Sequence, residues 1–420
     1  MSRRGNAGPA NRPATEEPRL TVTRPPRRHL RRALAAALPV PVIGLVLLVA
    51  SGNLLLPVRP VVTIKAKMAS KRDFFQDPEV ERLLMKHGFR VHITSMGSRE
   101  ISKQDYDGYD VVFPSGQPAA DLISRERAQA NRPVLLYRPF LSPIVLATYR
   151  DYAEVLAAEG VAKRLPGSGD PPMYYTLDMR KFLDLARGKR KGVQRDPEDG
   201  YRWDEIDDKN HVRNGNKILA QTSDICEANS ADTYLGLVAF VEHGNDAPDS
   251  EAEADQLARK IKPLLIEQGL PSSERADTYL SPDGQGIAPI SVIYEHQFLA
   301  HQLRHKAQKG ETDNERVLLY PSTRFVTEPQ LVALTGDGAR LGELVSEDPE
   351  LQHRAMELGF RTRGASSGAS SDELTRFLTE RQIPVPTTSS DDTRAVLPSL
   401  PLLEKMIEIV GDCPDRTGSP

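Results

Sequence analysis

Cysteine, tryptophan and several familiar catalytic motifs are scarce or missing in this chain. Two cysteines in 420 residues exclude a disulfide-dense fold and a zinc site built from four cysteines. The sequence contains no GxxxxGK[ST], HExxH or GxGxxG motif, which a phosphate loop, a zinc protease or a dinucleotide site would use. His301 and His305 lie four residues apart on a predicted helix, but a polar surface is their commoner role. We therefore predict no enzyme, no cofactor and no metal site.

Positive charge is concentrated at the N-terminus, and the body of the chain is acidic. Residues 1–32 hold nine arginines and two glutamates, a net charge of +7, which leaves −10 for the remaining residues of a chain whose total charge is −3. Nucleic-acid surfaces concentrate lysine and arginine to meet phosphates, so we predict no nucleic-acid partner. The Arg/Pro-rich composition of residues 1–32 predicts a disordered basic tail.

Residues 33–56 form the one long apolar run without a charged side chain, which excludes a protein with many membrane spans. A helix of 24 residues extends about 36 Å at about 1.5 Å per residue, enough to cross a hydrocarbon core of about 30 Å. Arginines precede the run, so the N-terminus is expected in the cytoplasm and the body outside. We predict a single-pass cell-membrane protein; the alternative is a cleavable signal peptide, whose apolar core is usually shorter.

Strand patterns and helix patterns alternate after the apolar run. Predicted strands begin at Val61, Phe89, Tyr109, Pro133, Ile218, Ile290 and Arg316. Predicted helices include residues 78–88, 231–244, 349–360 and 399–413. This alternation predicts an α/β fold with mixed, mostly parallel sheets and helices on both faces. The charged, Gly/Pro-containing segment 164–216 interrupts the pattern.

Small hydroxyl residues follow three of the predicted strands, namely Ser70, Ser115 and Ser223. In open α/β sheets, ligands bind outside the carboxyl ends of the strands, where helix N-termini offer unpaired N–H groups. Each serine alone is better explained as a helix N-cap. Three serines in corresponding places favour a shared ligand cleft.

Four segments, in this order along the chain, resemble the type 2 periplasmic binding proteins, which are extracellular solute-binding components of transport systems. The segments are YDVVFPSGQPAADLI (109–123), ILAQTSDICEANSADTYLGLVAF (218–240), APISVIYEHQFLA (288–300) and LGELVSEDPELQHRAMELGFRTR (341–363). The first two resemble the strand, ligand loop and helix of each lobe. The third resembles a later strand with a cleft-facing Tyr/Glu, and the fourth resembles the closing segment of the family.

The resemblance implies two α/β lobes joined by crossing strands, which close around a ligand. Lobe 1 would comprise residues 58–147 and 314–413, and lobe 2 would comprise residues 148–313. Residues 414–420 are expected to be a disordered tail. A transmembrane helix would precede this two-lobed fold, although members of the family are typically secreted or lipid-anchored.

The resemblance also implies which side chains face the cleft. The candidates are Ser70, Ser115, Ser223 and Tyr294, with Gln117, Asp224 and Glu295 as weaker ones. Several hydroxyls at helix N-termini suit an oxyanion, whereas the two carboxylates would suit a cation or an amine. The expected ligand is therefore a small polar solute, and the sign of its charge stays open at this point.

Two functions are consistent with these expectations. The first is a membrane-tethered, extracytoplasmic solute-binding protein for transport or sensing, with a permease or another envelope protein as its partner. The second is a ligandless two-lobed scaffold or sensor that acts through protein partners, with segment 164–216 as a contact surface. A cleft lined by convergent polar groups would favour the first, and a cleft filled by apolar side chains would favour the second.

Cys226 and Cys413 are candidates for one disulfide. Cys226 lies in the expected second-lobe ligand loop, and Cys413 follows the last predicted helix. Outside the cytoplasm a neighbouring thiol pair is often oxidised. Two separate buried thiols, acting as small apolar groups, remain the alternative at this stage.

Overall fold

A computed structural model describes residues 60–103, 105–196, 199–207, 212–267, 275–324, 329–362, 370–386 and 393–413. The predicted basic tail (1–32), the predicted membrane segment (33–56) and the predicted C-terminal tail (414–420) lie outside the described residues. None of the helices within the described ranges combines the length and the apolar character that crossing a bilayer requires.

The strands alternate with helices along the described chain. In chain order the strands are β1 (Val62–Met68), β2 (Phe89–Ser95), β3 (Val111–Phe113), β4 (Leu135–Tyr137), β5 (Phe140–Leu141), β6 (Ile144–Tyr149), β7 (Ala162–Arg164), β8 (Tyr174–Leu177), β9 (Lys189–Arg190), β10 (Val193–Gln194), β11 (Ile290–Tyr294), β12 (Arg316–Pro321), β13 (Thr323–Arg324), β14 (Leu331–Ala333), β15 (Arg361–Thr362) and β16 (Thr393–Arg394). The strands predicted at Val61, Phe89 and Tyr109 correspond to β1, β2 and β3.

The helices range from single turns to sixteen residues. In chain order they are α1 (Arg72–Phe75), α2 (Pro78–Lys86), α3 (Ser98–Lys103), α4 (Gln117–Gln129), α5 (Arg150–Ala158), α6 (Met179–Ala186), α7 (Trp203–Ile206), α8 (Asn229–Glu242), α9 (Glu251–Ile266), α10 (Arg275–Leu280), α11 (Gly284–Ile287), α12 (Glu295–Lys309), α13 (Gly336–Glu347), α14 (Pro349–Glu357), α15 (Ser370–Glu380) and α16 (Leu400–Gly411).

Five strands form the first sheet, in the order β2-β1-β3-β14-β4. β1 pairs in parallel with β2 and β3, and β14 pairs antiparallel with β3 and β4. Successive side chains of a strand point to opposite faces, so Val111 and Phe113 of β3 lie in one hydrophobic core and Val112 lies in another. The continuous apolar run of β3 is therefore explained by burial on both faces.

A second sheet has the order β11-β6-β12-β8-β7. Only β12 and β8 pair in parallel, and the other three pairs are antiparallel. This differs from the predicted mostly parallel arrangement. The chain enters the second sheet along β6 and leaves it along β12 towards β14 of the first sheet, so β6 and β12 run antiparallel. The strand predicted at 218–223 is wrong, since only Gln221 forms an isolated bridge to Ser291, beside β11.

The C-terminal part of the chain packs on the second sheet, which differs from the predicted lobe boundaries. Residues 314–413 were expected in lobe 1, yet β12 lies in the second sheet and side chains of α15 and α16 join its core. These core residues include Leu374, Phe377, Leu403, Met406 and Ile407. An apolar helix face requires a core to cover it, but it does not specify which of two cores does so.

The hydrophobic cores define two lobes. The first lobe consists of the first sheet with α1–α4, α13 and α14, and the second lobe consists of the second sheet with α5–α12, α15 and α16. The described residues of the segment 164–216 form part of the second lobe, where Tyr174, Tyr175 and Trp203 are fully buried. The structure is thus a two-lobed α/β fold with mixed sheets.

Candidate ligand cleft between the lobes

A cavity of about 300 Å³ lies where residues of the two lobes meet. Six hydroxyl-bearing side chains line it, three from the first lobe and three from the second. They are Ser70, Ser98, Ser115, Ser223, Ser230 and Tyr294. The amide side chains of Asn229 and Gln297 also line the cavity. The cavity is therefore rich in groups that can both donate and accept hydrogen bonds.

The first-lobe wall of the cavity is a chain of three hydrogen-bonded serines. Ser70 follows β1, Ser115 follows β3, and Ser98 begins α3. The backbone N–H of Ser70 donates to Ser115 Oγ at 3.1 Å, and the backbone N–H of Ser115 donates to Ser98 Oγ at 2.9 Å. The hydroxyls of Ser70 and Ser115 also bond to each other. Parallel strands end at one edge of a sheet, which brings these serines together.

The second-lobe wall is built from the end of β11 and the start of α8. Tyr294 is the last residue of β11, and its hydroxyl donates to the carbonyl oxygen of Ser115 at 3.4 Å. Ser230 lies in the first turn of α8, a helix of fourteen residues. The N-terminus of such a helix presents unpaired N–H groups and a positive dipole end. Ser223 lies in the segment that leads to this helix, and only 5% of it is exposed.

A buried positive charge lies behind the tyrosine of this wall. Lys71 has no exposed surface, and its Nζ atom lies 3.3 Å from the centroid of the Tyr294 ring. A cation over an aromatic face is attracted by the ring quadrupole. In contrast, the carboxylates that line the cavity, those of Glu227 and Asp277, are exposed to solvent, where water and salt screen their charge.

The three weaker candidates from the sequence do not line this cavity. The Glu295 carboxylate accepts hydrogen bonds from Arg361 at 2.5 and 2.8 Å and from the Tyr320 hydroxyl at 2.6 Å. Asp224 accepts the backbone N–H of Cys226 at 2.7 Å within its own loop. Gln117 lines a different cavity, between α4 and the segment that precedes α16.

The two cysteines are joined in a disulfide, with their Cα atoms 5.5 Å apart. Cys226 lies in the loop between Ser223 and α8, and Cys413 follows α16. The bridge therefore fastens the end of the last helix to a loop that lines the cavity.

The similarity of this chain to known proteins is limited to its fold. No family model and no curated protein matches the chain. Solved structures do match it, although each identity is low. The sulfate-binding protein SubI of Mycobacterium tuberculosis H37Rv is 16% identical over 77% of this chain and 92% of its own, with a TM-score of 0.43.

Two further solved structures cover nearly all of their own length. The apo ferric ion-binding protein A of Pasteurella haemolytica is 13% identical over 83% of this chain and 97% of its own, with a TM-score of 0.47. The spermidine/putrescine transporter substrate-binding protein PotD of Streptococcus pneumoniae is 11% identical over 83% and 99%, with a TM-score of 0.43. By their descriptions, the three proteins bind sulfate, ferric ion and the substrate of a spermidine/putrescine transporter.

Sequence reasoning missed several residues of the cavity. Ser98 follows β2 at the same sheet edge as Ser70 and Ser115, so the rule that found those two serines could have found it. Asn229 and Ser230 begin α8, which starts two residues earlier than the predicted helix at 231. The expectation that the chain lacks a GxSxG motif is also wrong, because residues 364–368 (GASSG) have the spacing of a hydrolase elbow; these residues lie outside the described ranges.

His296 is buried beside the cleft and makes the stability of the protein depend on pH. Its Nδ1 atom lies 2.6 Å from the Ser142 hydroxyl, and its ring stacks on Phe360 with centroids 4.0 Å apart. Burial, together with the nearby charge of Lys71, holds the pKa of His296 well below its ordinary value. Below about pH 6.5, His296 therefore binds a proton in the unfolded chain but not in the folded protein.

We expect the His296→Gln variant to lose stability less steeply than the wild type as the pH falls below about 6.5. One unfolded-state proton corresponds to about 1.4 kcal/mol of stability per pH unit, and the variant should lack this contribution. Urea unfolding at pH 7.5, 6.5 and 5.5 measures the two slopes. His92→Gln is the control for the replacement of a histidine as such, because His92 is exposed on β2. Equal slopes for wild type and His296→Gln would contradict the assignment.

Proposed function

We propose that this protein is a membrane-tethered, extracytoplasmic solute-binding protein that closes two lobes around a small polar solute, for transport or sensing. One observation carries the proposal: hydroxyl groups from both lobes converge on one cavity of about 300 Å³. Ligand pockets of about this volume hold small molecules, and a few convergent polar groups fix their orientation. A scaffold without a ligand would have no need of such a cavity.

A small oxyanion fits the chemistry of the cavity best. Its oxygens would accept hydrogen bonds from Ser70, Ser115 and Ser223, which are at most 6% exposed. The N-terminus of α8 and the buried charge of Lys71 both favour a negative ligand. The exposed carboxylates of the lining oppose it only weakly, because solvent screens them.

Ligand binding is tested by thermal unfolding of the full-length chain with added solutes. Sulfate, phosphate and small carboxylates are the expected ligands, and spermidine, amino acids and sugars are the comparison. A ligand at about 100 times its dissociation constant stabilises the folded protein by about 2.7 kcal/mol, which is readily visible as a higher melting temperature. Stabilisation by polyamines alone would overturn the oxyanion assignment. A melting temperature unchanged by every solute of the panel would favour the ligandless two-lobed scaffold.

Replacing Ser115 with tryptophan is expected to weaken binding of the best solute at least about 100-fold, because the ring would fill the cavity and the substitution removes the Ser115 hydroxyl, which makes two hydrogen bonds with Ser70. Calorimetric titration of the full-length variant measures the affinity. Thr375→Trp is the matched control, since Thr375 is exposed on α15, outside the cavity. Unchanged affinity in a folded Ser115→Trp protein would refute the site.

The tether rests on residues 33–56 and on the arginines before them. We expect the intact chain to stay in the membrane fraction after an alkaline carbonate wash, because an apolar segment of this length inserts across the bilayer. Mass spectrometry of the mature protein should find residues 1–32. A soluble chain that begins after residue 56 would show a cleaved signal peptide instead.

A further inference from the structure

A buried arginine links the two lobes beside the cavity. Arg99 lies on α3, which belongs to the first lobe because its neighbour Ile101 packs in the core with Val112 and Ile123. The Arg99 side chain is only 4% exposed. Its two terminal nitrogens donate to the two carboxylate oxygens of Glu404, each at 2.6 Å. A paired fork of this kind is among the strongest of protein hydrogen bonds.

Three partners of Arg99 belong to the second lobe. Glu404 lies on α16, and Asp232, whose carboxylate is 3.5 Å from the guanidinium, lies on α8. The backbone N–H of Arg99 donates to the carbonyl oxygen of Glu227 at 3.0 Å. At Gly97 a Cβ atom would lie only 2.6 Å from that same carbonyl oxygen. The lobes are thus in direct backbone contact here, and glycine permits the approach.

The helix that carries Glu404 is fixed to the second lobe at its core and at its end. Leu403, Met406 and Ile407 are buried in the second-lobe core. After the helix ends, Cys413 is joined to Cys226, the residue directly before Glu227. Both the carboxylate and the carbonyl that hold Arg99 are therefore positioned by this helix and its disulfide.

We propose that the C-terminal helix α16 is a clasp that holds the lobes closed through the Glu404–Arg99 pair, independently of any solute. Opening of the lobes would have to break the two charge-assisted hydrogen bonds and the Arg99–Glu227 backbone bond together. The separated charges would regain water, so the clasp acts on how often the lobes open more than on overall folding. Ligand release would then depend on α16 as well as on cavity contacts.

Hydrogen exchange of the full-length chain, without added solute, tests the clasp. Glu404→Gln removes the charge of the acceptor, and amides of residues 97–101 and 225–232 should exchange at least about tenfold faster, as expected for the loss of a charged hydrogen bond. Amides of the central strand β6 should exchange at the wild-type rate. Lys405→Gln is the matched control, because Lys405 pairs with Glu251 at 3.1 Å, and both residues lie in the second lobe.

A second variant separates the clasp from general loosening. Arg99→Gln combined with Glu404→Gln should exchange no faster than the faster single variant, because Arg99→Gln alone already removes the pair with Glu404. Rates that multiply in the double variant, or equal rates for Glu404→Gln and Lys405→Gln, would overturn the proposal. Because no solute is present, either result leaves the test of solute binding unaffected.

Discussion

Removing the disulfide between Cys226 and Cys413 is expected to lower the free energy of unfolding by about 5 kcal/mol. The two residues are 187 positions apart, and the chain-entropy account of cross-links gives a loss of this size for a loop of that length at 25 °C. The bridge is expected to act mainly on the unfolded chain, since α16 already packs in the second-lobe core. Urea unfolding of the Cys226→Ser/Cys413→Ser variant measures the loss.

Two controls separate the cross-link from the substitutions. The reduced wild type should match the double serine variant, because both lack the same covalent bond. Thiol titration of the unfolded protein should find no reactive thiol before reduction and two afterwards. Two reactive thiols in the unfolded, unreduced protein would contradict the bridge, and an unfolding free energy within about 1 kcal/mol of the wild type would contradict its stabilising role.

Local signals made part of the fold predictable. Asp77 and Pro78 predicted the start of α2, and the Asp77 side chain accepts the backbone N–H groups of Glu79 and Val80. Gly88 closes the same helix with a φ of +80°, which glycine adopts without strain. Ser70 and Ser115 were predicted as cleft residues from their positions after strands, because residues at strand ends meet at one edge of a sheet.

Other features depend on partners far away in the sequence. Glu295 follows a cleft tyrosine, and its sequence context gave no sign that Arg361, 66 residues later, neutralises it. The apolar face of α16 predicted a buried helix but not the core that buries it. The segment 218–223 has a strand-like composition, yet it has a single bridge to β11, because such a composition favours a strand only where the packing context supports one.

The second large effect is expected from the buried ion pair of Arg361 and Glu295. Arg361 lies on β15, and Glu295 is the first residue of α12 and directly follows the cleft residue Tyr294. The Glu295 side chain is only 1% exposed. Arg361→Met would leave this carboxylate buried without a cation, which costs about 3–5 kcal/mol in comparable buried pairs. Urea unfolding at neutral pH measures the change in unfolding free energy.

A double-mutant cycle identifies the origin of this loss. Adding Glu295→Gln to Arg361→Met removes the unpaired charge, so the double variant should recover most of the lost stability. Arg340→Met is the control, because Arg340 and its partner Asp337 are 59% and 46% exposed and such surface pairs contribute at most about 1 kcal/mol. A loss below about 1 kcal/mol for Arg361→Met would show that water reaches Glu295. Glu295 would then return as a ligand candidate, since its neighbour Tyr294 already lines the cavity.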